Sequence, residues 1–402
     1  MDVAMALATL FFVLLLLSSA AISLLLIRLC LAAIRPSTTT SSSRYAAANP
    51  AAPAPIPPPP PPSEMALLVA PTKAPKEKYA EPRRLAWREV EALTGGFDEA
   101  AVVGRGGSGN TVYEIRFAGS PAAVKVHRWC GGGERRLAAF RRELDLLRRV
   151  GRHPRLVALL AYSDDHEEGG ALVLEYMCGG TLADRLHGGT VVPPLSWCHR
   201  MHVIHDVAVA LEHLHDTISI VHGDVSASNV LLGGASATPR ASLCDLGSAC
   251  EATFSAAIAP ARLVGAAAVG SPGYTDPIFL RTGIVSKKSD VYSFGVLLLE
   301  VVTGLVAAGT SEGSGEYLAA RVVPHVRAIG VAGLVDSRIR NDYDATEAND
   351  IVSIALKCVA AQPGIRPTMA QVRAAIAEKA AGSITRADSS DVKLRDLFRT
   401  TG

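Results

Sequence analysis

The sequence predicts an α+β chain with one large folded unit behind a single transmembrane helix, and three observations predict it. Residues 3–27 carry no charged side chain and are rich in Leu, Ala and Phe. Apolar periodicity is then sustained from about Phe97 to about Lys379. Within that stretch a Gly-rich run sits between strand-like residues and is followed by an Arg-rich helical pattern, so strands and helices share one unit. The chain has 402 residues, and about 250 to 300 suffice for a large two-lobed unit.

The apolar run is long enough to cross a hydrocarbon core of about 30 Å as a helix. A cleaved signal peptide is the alternative, because Ser18, Ser19, Ala20 and Ala21 are small residues near a cut site. However, only Met1 and Asp2 precede the run, leaving no basic leader, while Arg28, Arg35 and Arg44 follow it. Positive-inside bias places the bulk of the chain in the cytoplasm. With two residues before the span, the expectation is a protein without an ectodomain that takes its input from a partner.

Residues 36–84 form a linker, Ser/Thr-rich and then Pro-rich, with an unbroken run from Pro57 to Pro62. Such a composition cannot bury a core and gives an extended, partly polyproline II tether. The tail, residues 380–402, is polar and expected to be flexible.

Forty Lys and Arg stand against 38 Asp and Glu, a formal charge of +2. Nothing global therefore argues for nucleic acid or a strongly acidic partner. The Arg-rich stretch 135–155 is interrupted by Glu143 and Asp145, with Leu137, Phe140, Leu144 and Leu147 recurring through it. It reads as an amphipathic helix with a solvated basic face. Seven scattered cysteines without a CxxC pair fit a reducing compartment. His199, His202, His205, His213 and His215 share helical spacing, but no ligand set completes a metal site there.

Gly104, Gly106 and Gly109 precede Val112 and alternating strand-like residues. A Gly-rich hairpin lets backbone N–H groups approach phosphate oxygens with no Cβ in the way. Lys125 lies inside an apolar strand, where a buried ammonium needs an anionic partner, either Glu143 or a nucleotide phosphate. In residues 220–232, IVHGDVSASNVLL, a polar turn gathers His222, Asp224 and Asn229 between apolar flanks. Asp245-Leu246-Gly247 follows downstream. Two oxygen ligands, Asn229 and Asp245, suit Mg²⁺, which takes few protein ligands plus waters and phosphates. Asp224 is then left to orient a hydroxyl nucleophile.

These elements, in this order, resemble a eukaryotic protein kinase, and more narrowly a plant receptor-like kinase. The resemblance covers about residues 85–379. It extends to the pre-kinase segment at 85–97, to Leu172 through Met177, to Leu195 through His215, to the helix opening at Ser289-Asp290, and to Cys358 through Arg366-Pro367. It implies a bilobal kinase fold over 97–379, with a small β-rich N-lobe (97–177) and a helical C-lobe (178–379). It implies ATP and Mg²⁺ as cofactors, with Lys125, Glu143 and Asp224 catalytic and Asn229 and Asp245 on the metal. Gly104, Gly106, Gly109, Val112, Lys125, Glu175 and Met177 would hold the nucleotide, the last two through the hinge backbone.

The pattern also departs from the family. Gly109 and Val112 are one residue further apart than the usual spacing. Gly223 stands where many kinases place an Arg that pairs with an activation-loop phosphate. Ser226 and Ser228 replace the positions of a Lys in Ser/Thr kinases and an Arg in tyrosine kinases, so a charge facing the transferring phosphoryl group is missing. Leu246 replaces Phe. Asp276-Pro277-Ile278 replaces an Ala-Pro-Glu motif, and Ile278 is expected to lose the ion pair to Arg366.

Two functions from different classes follow. One is a membrane-anchored Ser/Thr kinase of low intrinsic activity at the plasma membrane, acting on protein substrates beside a ligand-binding co-receptor, with the lipid bilayer as a further partner. The other is a nucleotide-binding pseudokinase scaffold. Retention of Lys125, Asp224, Asn229 and Asp245 together favours the enzyme.

Overall fold

The computed structural model describes residues 81–387, apart from 107–108, 130–132, 168, 189–193, 234–239, 253–269, 310–316, 332 and 341. The expected membrane span, most of the linker and the end of the tail lie outside the described residues. Among those described, no helix is long and apolar enough to cross a membrane.

A six-stranded sheet builds the first lobe, with strand order β1-β5-β6-β4-β3-β2. The strands are β1 (Arg83–Arg84), β2 (Val102–Arg105), β3 (Thr111–Phe117), β4 (Ser120–Arg128), β5 (Leu159–Ser163) and β6 (Gly169–Glu175). Strand periodicity sorts β4 onto two faces. Ala122, Val124 and Val126 enter an outer core with Leu85, Val90, Tyr113 and Ile115. Lys125 and His127 fall on the opposite face, and both are buried there. This alternation explains how a lysine sits in an apolar strand without entering its core.

The folded unit starts earlier than Phe97. Arg83–Arg84 pairs in parallel with β5, and Arg84 binds Asp164 at 2.6 Å. Helix α1 (Trp87–Leu93) buries Val90 completely, and Trp87 stacks on His166 with ring centroids 4.6 Å apart. The last residues of the expected linker are thus an edge strand of the sheet.

Helix α2 (Gly133–Val150) turns Phe140, Glu143, Leu144 and Leu147 inward. Its basic face is not simply solvated, which corrects the sequence reading. Arg142 donates to the Gly247 carbonyl at 3.1 Å. Arg149 binds Glu251 at 2.5 Å and the Ile218 carbonyl at 2.9 Å. Two arginines therefore tie this helix to the second lobe.

The second lobe is helical: α3 (Leu182–His187), α4 (Trp197–Glu212), α5 (Pro277–Thr282), α6 (Lys287–Thr303), α7 (Leu318–Ile329), α8 (Ala345–Cys358) and α9 (Met369–Lys379). Helix α6 is apolar around its circumference, burying Val291, Phe294, Val296 through Leu299, Val301 and Val302, the pattern of a central core helix. Arg200 of α4 is fully buried, yet satisfied by the Leu195 carbonyl (2.9 Å), the Val301 carbonyl (2.6 Å) and Asp336 (2.5 Å). Trp197 donates to Glu347 of α8 at 2.7 Å.

The C-terminal boundary also moves. Ser383 donates to Glu347 at 2.5 Å and Ala387 is 1% exposed, so the first part of the expected tail packs on the helical lobe.

Candidate active site

Helix α4 widens into a π-helical turn, His213–Ile218, and ends on Ser219 with φ +61°. Strand β7 (Ile220–Val221) then delivers the polar loop. Asp290, near the start of α6, organises that loop from below. It accepts from the backbone N–H of His222 (2.7 Å) and of Gly223 (2.9 Å), and its Oδ2 lies 2.8 Å from His215 Nε2. Burial alone would raise the Asp290 pKa, but His215 and the loop amide hold it below the usual carboxylate range. The carboxylate therefore acts as a fixed anionic anchor. Gly223 has φ +80°, and a Cβ there would meet the Ser248 carbonyl oxygen at 2.6 Å; this backbone path excludes larger residues.

Asp224 is held by its neighbours on both oxygens. Its Oδ1 accepts from the Ser271 N–H (2.7 Å) and hydroxyl (2.8 Å), and its Oδ2 accepts from Asn229 Nδ2 (3.1 Å). The same Asn229 nitrogen donates to the Asp224 carbonyl at 2.8 Å. With the nitrogen so engaged, the Asn229 amide oxygen is left as an acceptor.

Across the cleft, Lys125 Nζ lies 2.8 Å from Glu143 Oε1 and 2.8 Å from Asp245 Oδ1. Burial would lower the Lys125 pKa, yet these two carboxylates raise it above that of a free lysine. Asp245 feels the reverse: burial would raise its pKa, and Lys125 pulls it down. Both therefore stay charged at neutral pH. Glu143 shifts the other way, its pKa raised because burial outweighs the pull of Lys125. His127 sits 3.6 Å from Glu143 on the same face of β4, its pKa lowered to about 3 by burial and then by Lys125.

Asp245 has φ +63° and caps a short turn, Leu246–Ser248, by accepting from Gly247 N–H at 3.0 Å. Because Oδ1 serves Lys125 and Gly247, Oδ2 is left as an acceptor. One amide oxygen and one carboxylate oxygen make a hard, sparse donor set. That fits a Mg²⁺ ion whose other ligands are waters and phosphates. The Cys244 N–H bonds the Asn229 carbonyl at 2.9 Å, which keeps the two donors close to each other.

The Gly-rich hairpin joins β2 to β3, with Gly104 opposite Val112. A register shift between Val102 and Gly104 accompanies its unusual spacing. Val112 is also opposite Lys125, and cross-strand partners share a face, so Val112 points into the same cleft. Gly106 N–H bonds the Asn110 carbonyl at 2.8 Å and Gly109, at φ +77°, bonds Gly106 at 3.0 Å. At the hinge, Arg240 reaches Glu175 at 2.6 Å and the Met177 sulfur at 3.3 Å. Those side chains are thereby turned to the strand hairpin of β8 (Val230–Gly233) and β9 (Arg240–Leu243), leaving backbone as the hinge's contribution to the cleft.

One set of contacts escaped the sequence reading. Tyr274 donates to Glu300, buried in α6, and its hydroxyl accepts from Ala227 N–H at 3.2 Å; His187 Nε2 lies 2.8 Å from the same Glu300. Burial and then Glu300 raise the Tyr274 pKa, so its hydroxyl keeps its proton. The segment after Ser271 is thus bolted to the Asp224 loop through residues with no local signature.

A cleft with a lysine–carboxylate chain on its strand-lobe wall and an Asp–Asn loop on its helical wall defines a nucleotide-dependent phosphotransferase. The protein kinase domain family matches residues 97–375, and the chain belongs to that family. Its homologues include receptor-like kinases of plants. A protein of Oryza sativa subsp. japonica, salt tolerance receptor-like cytoplasmic kinase 1, is 45% identical over 307 residues, 75% of this chain and 81% of the relative. A probable receptor-like protein kinase of Arabidopsis thaliana is 39% identical over 304 residues, 71% of this chain and 85% of the relative. A probable LRR receptor-like serine/threonine-protein kinase of the same plant is 35% identical over 297 residues, 73% of this chain but 32% of that longer protein. A kinase domain implies ATP, a divalent metal and a protein substrate.

Proposed function

We propose that this chain is a membrane-anchored Ser/Thr kinase that passes the ATP γ-phosphoryl group to protein hydroxyls at low turnover. The carrying observation is that Lys125, Glu143 and Asp245 are already linked at 2.8 Å while Asp224 is held by Ser271 and Asn229 on the facing loop.

In this reading Lys125 binds the nucleotide phosphates, kept in place by Glu143. The backbone of 175–177 meets the base, and Gly104, Gly106, Gly109 and Val112 cover the nucleotide. Asn229 and Asp245 would hold Mg²⁺, whose role is to offset phosphate charge. Asp224 orients the incoming hydroxyl and takes its proton as the new P–O bond forms. The uncharged run 3–27, followed by Arg28 and Arg35, supports an anchor in the plasma membrane with the kinase in the cytoplasm and input from a co-receptor in the bilayer.

The pseudokinase reading has its own observation: Ser226 is fully buried, its hydroxyl has no hydrogen-bond partner among the described residues, and it brings no charge to the cleft. The full-length protein in detergent, given labelled ATP, Mg²⁺ and a mixed protein substrate, decides between them. Incorporation on Ser and Thr that disappears in Asp224→Asn supports the enzyme. Nucleotide binding without incorporation replaces it with the scaffold.

A further inference from the structure

Arg136 lies on α2 seven residues before Glu143, which is two helical turns toward the N-terminus on nearly the same face. That face is the one carrying Glu143 to Lys125. The Arg136 Nη1 is 4.0 Å from where a Cβ on Gly109 would stand, so the guanidinium rests against the last glycine of the phosphate-covering hairpin. Its Nη1 donates to the Arg128 carbonyl at 3.2 Å. Among the described residues no ion pair involves it.

The charges around the cleft make this placement informative. Lys125 is matched by two carboxylates. Arg142 and Arg149 are committed to the second lobe. The loop positions where a cation would face the moving phosphoryl group hold Ser226 and Ser228. Gly106 and Gly109 use their N–H groups inside the hairpin. A cation without a carboxylate partner therefore stands at the edge of a phosphate cradle short of cations.

We propose that Arg136 binds the terminal phosphate of the nucleotide from beneath the Gly-rich hairpin, supplying from α2 the positive charge that Ser226 and Ser228 do not. This rests on the kinase reading and goes beyond it in naming the cation. Arg136 forms no covalent bond and moves no proton. It offsets charge on the γ-phosphoryl oxygens while the substrate hydroxyl oxygen bonds to phosphorus, the bridging P–O bond to ADP breaks, and the hydroxyl proton goes to Asp224. A planar guanidinium suits this task, since its fork matches two phosphate oxygens at once.

The test compares Mg²⁺-ATP and Mg²⁺-ADP binding to the full-length protein in detergent, for the parent, Arg136→Gln and Arg136→Lys, with melting curves to confirm folding. Arg136→Gln should weaken ATP by about tenfold and leave ADP unchanged, because only ATP carries the terminal phosphate; Arg136→Lys should fall between them. Equal affinities in parent and Arg136→Gln, or an equal loss for ATP and ADP, would overturn the proposal. In turnover, Arg136→Gln should lose roughly 10- to 100-fold in kcat, and Ser226→Lys should recover more in that background than in the parent. A parent with no transfer ends the kinase reading, but the ATP-against-ADP comparison still decides the role of Arg136.

Discussion

Asp276 and Arg366 form a buried, bidentate ion pair, with Nη1–Oδ2 at 2.7 Å and Nη2–Oδ1 at 3.0 Å. The sequence reading expected this pair to be lost with Ile278; instead the acid has moved two positions toward the N-terminus. Asp276 also caps α5 by accepting from Ile278 N–H at 2.9 Å, and Arg366 lies over Tyr292, 5.0 Å from the ring centroid. Removing one partner of a buried pair leaves the other charge stranded, at a cost of about 3–5 kcal/mol. Asp276→Ala should therefore show that loss in denaturant unfolding of the full-length protein. A change below about 1 kcal/mol would mean the pair is dispensable.

Acid should unfold the helical lobe through a second buried pair. Burial alone would raise the Asp336 pKa, but hydrogen bonds from Arg338 and Arg200 lower it from 3.8 to about 2. The folded carboxyl takes up a proton less readily than the unfolded one. Its stabilisation is thus complete above about pH 4 and drains away as the pH falls toward 2, on the order of 2 kcal/mol in all. Asp336→Asn should flatten the melting temperature between pH 4 and 2 while lowering it at pH 7. An unchanged slope in the variant would assign the acid sensitivity elsewhere.

Much of the cleft was readable because its residues come in short, spaced runs. Lys125 in its strand, the Gly-rich hairpin, Asp224 with Asn229, and Asp245 before a glycine each announce themselves within ten residues. Glu143 was reachable because helical periodicity turns it inward with Phe140 and Leu147. What escaped was pairing across long separations: Asp276 with Arg366 is 90 residues apart, and Arg149 with Glu251 is 102. An Asp before Pro reads locally as a helix cap, and it is one; nothing near it reports the arginine. The unit's edges were missed for a similar reason, since Arg83–Arg84 is a strand only because β5 offers it an open edge.

Loop phosphorylation should not be required for activity. Gly223 holds φ +80° against the Ser248 carbonyl and has no side chain to grip a phosphate. Asp224 is positioned instead by the Ser271 hydroxyl at 2.8 Å. Phosphatase-treated protein should retain activity close to that of the phosphorylated form, whereas Ser271→Ala should lower kcat by removing one of the bonds that aim Asp224. Activity that appears only after phosphorylation would refute this. Gly223→Ala should destabilise by more than about 1 kcal/mol, since the conformation is left-handed and the space is closed.

On the proposed reading, Ser226 should set the ceiling on rate. Its hydroxyl is fully buried and has no hydrogen-bond partner among the described residues. Removing an unpaired buried polar group relieves a desolvation cost, so Ser226→Ala should be neutral or stabilise by up to about 1 kcal/mol, read from the melting curve. Ser226→Lys asks more: its four-carbon stem has to carry the ammonium out of the buried site into the cleft. If it does, the charge acts mainly on the transition state. The gain should then appear in kcat, by roughly 10- to 100-fold, with the ATP KM nearly unchanged. The parent should turn over well below the 1–100 s⁻¹ typical of kinases, on the order of 0.01 to 0.1 s⁻¹. Asp224→Asn is the control, abolishing transfer while keeping nucleotide. A folded Ser226→Lys protein with no gain over a parent already in the typical range would show that the missing lysine was never limiting.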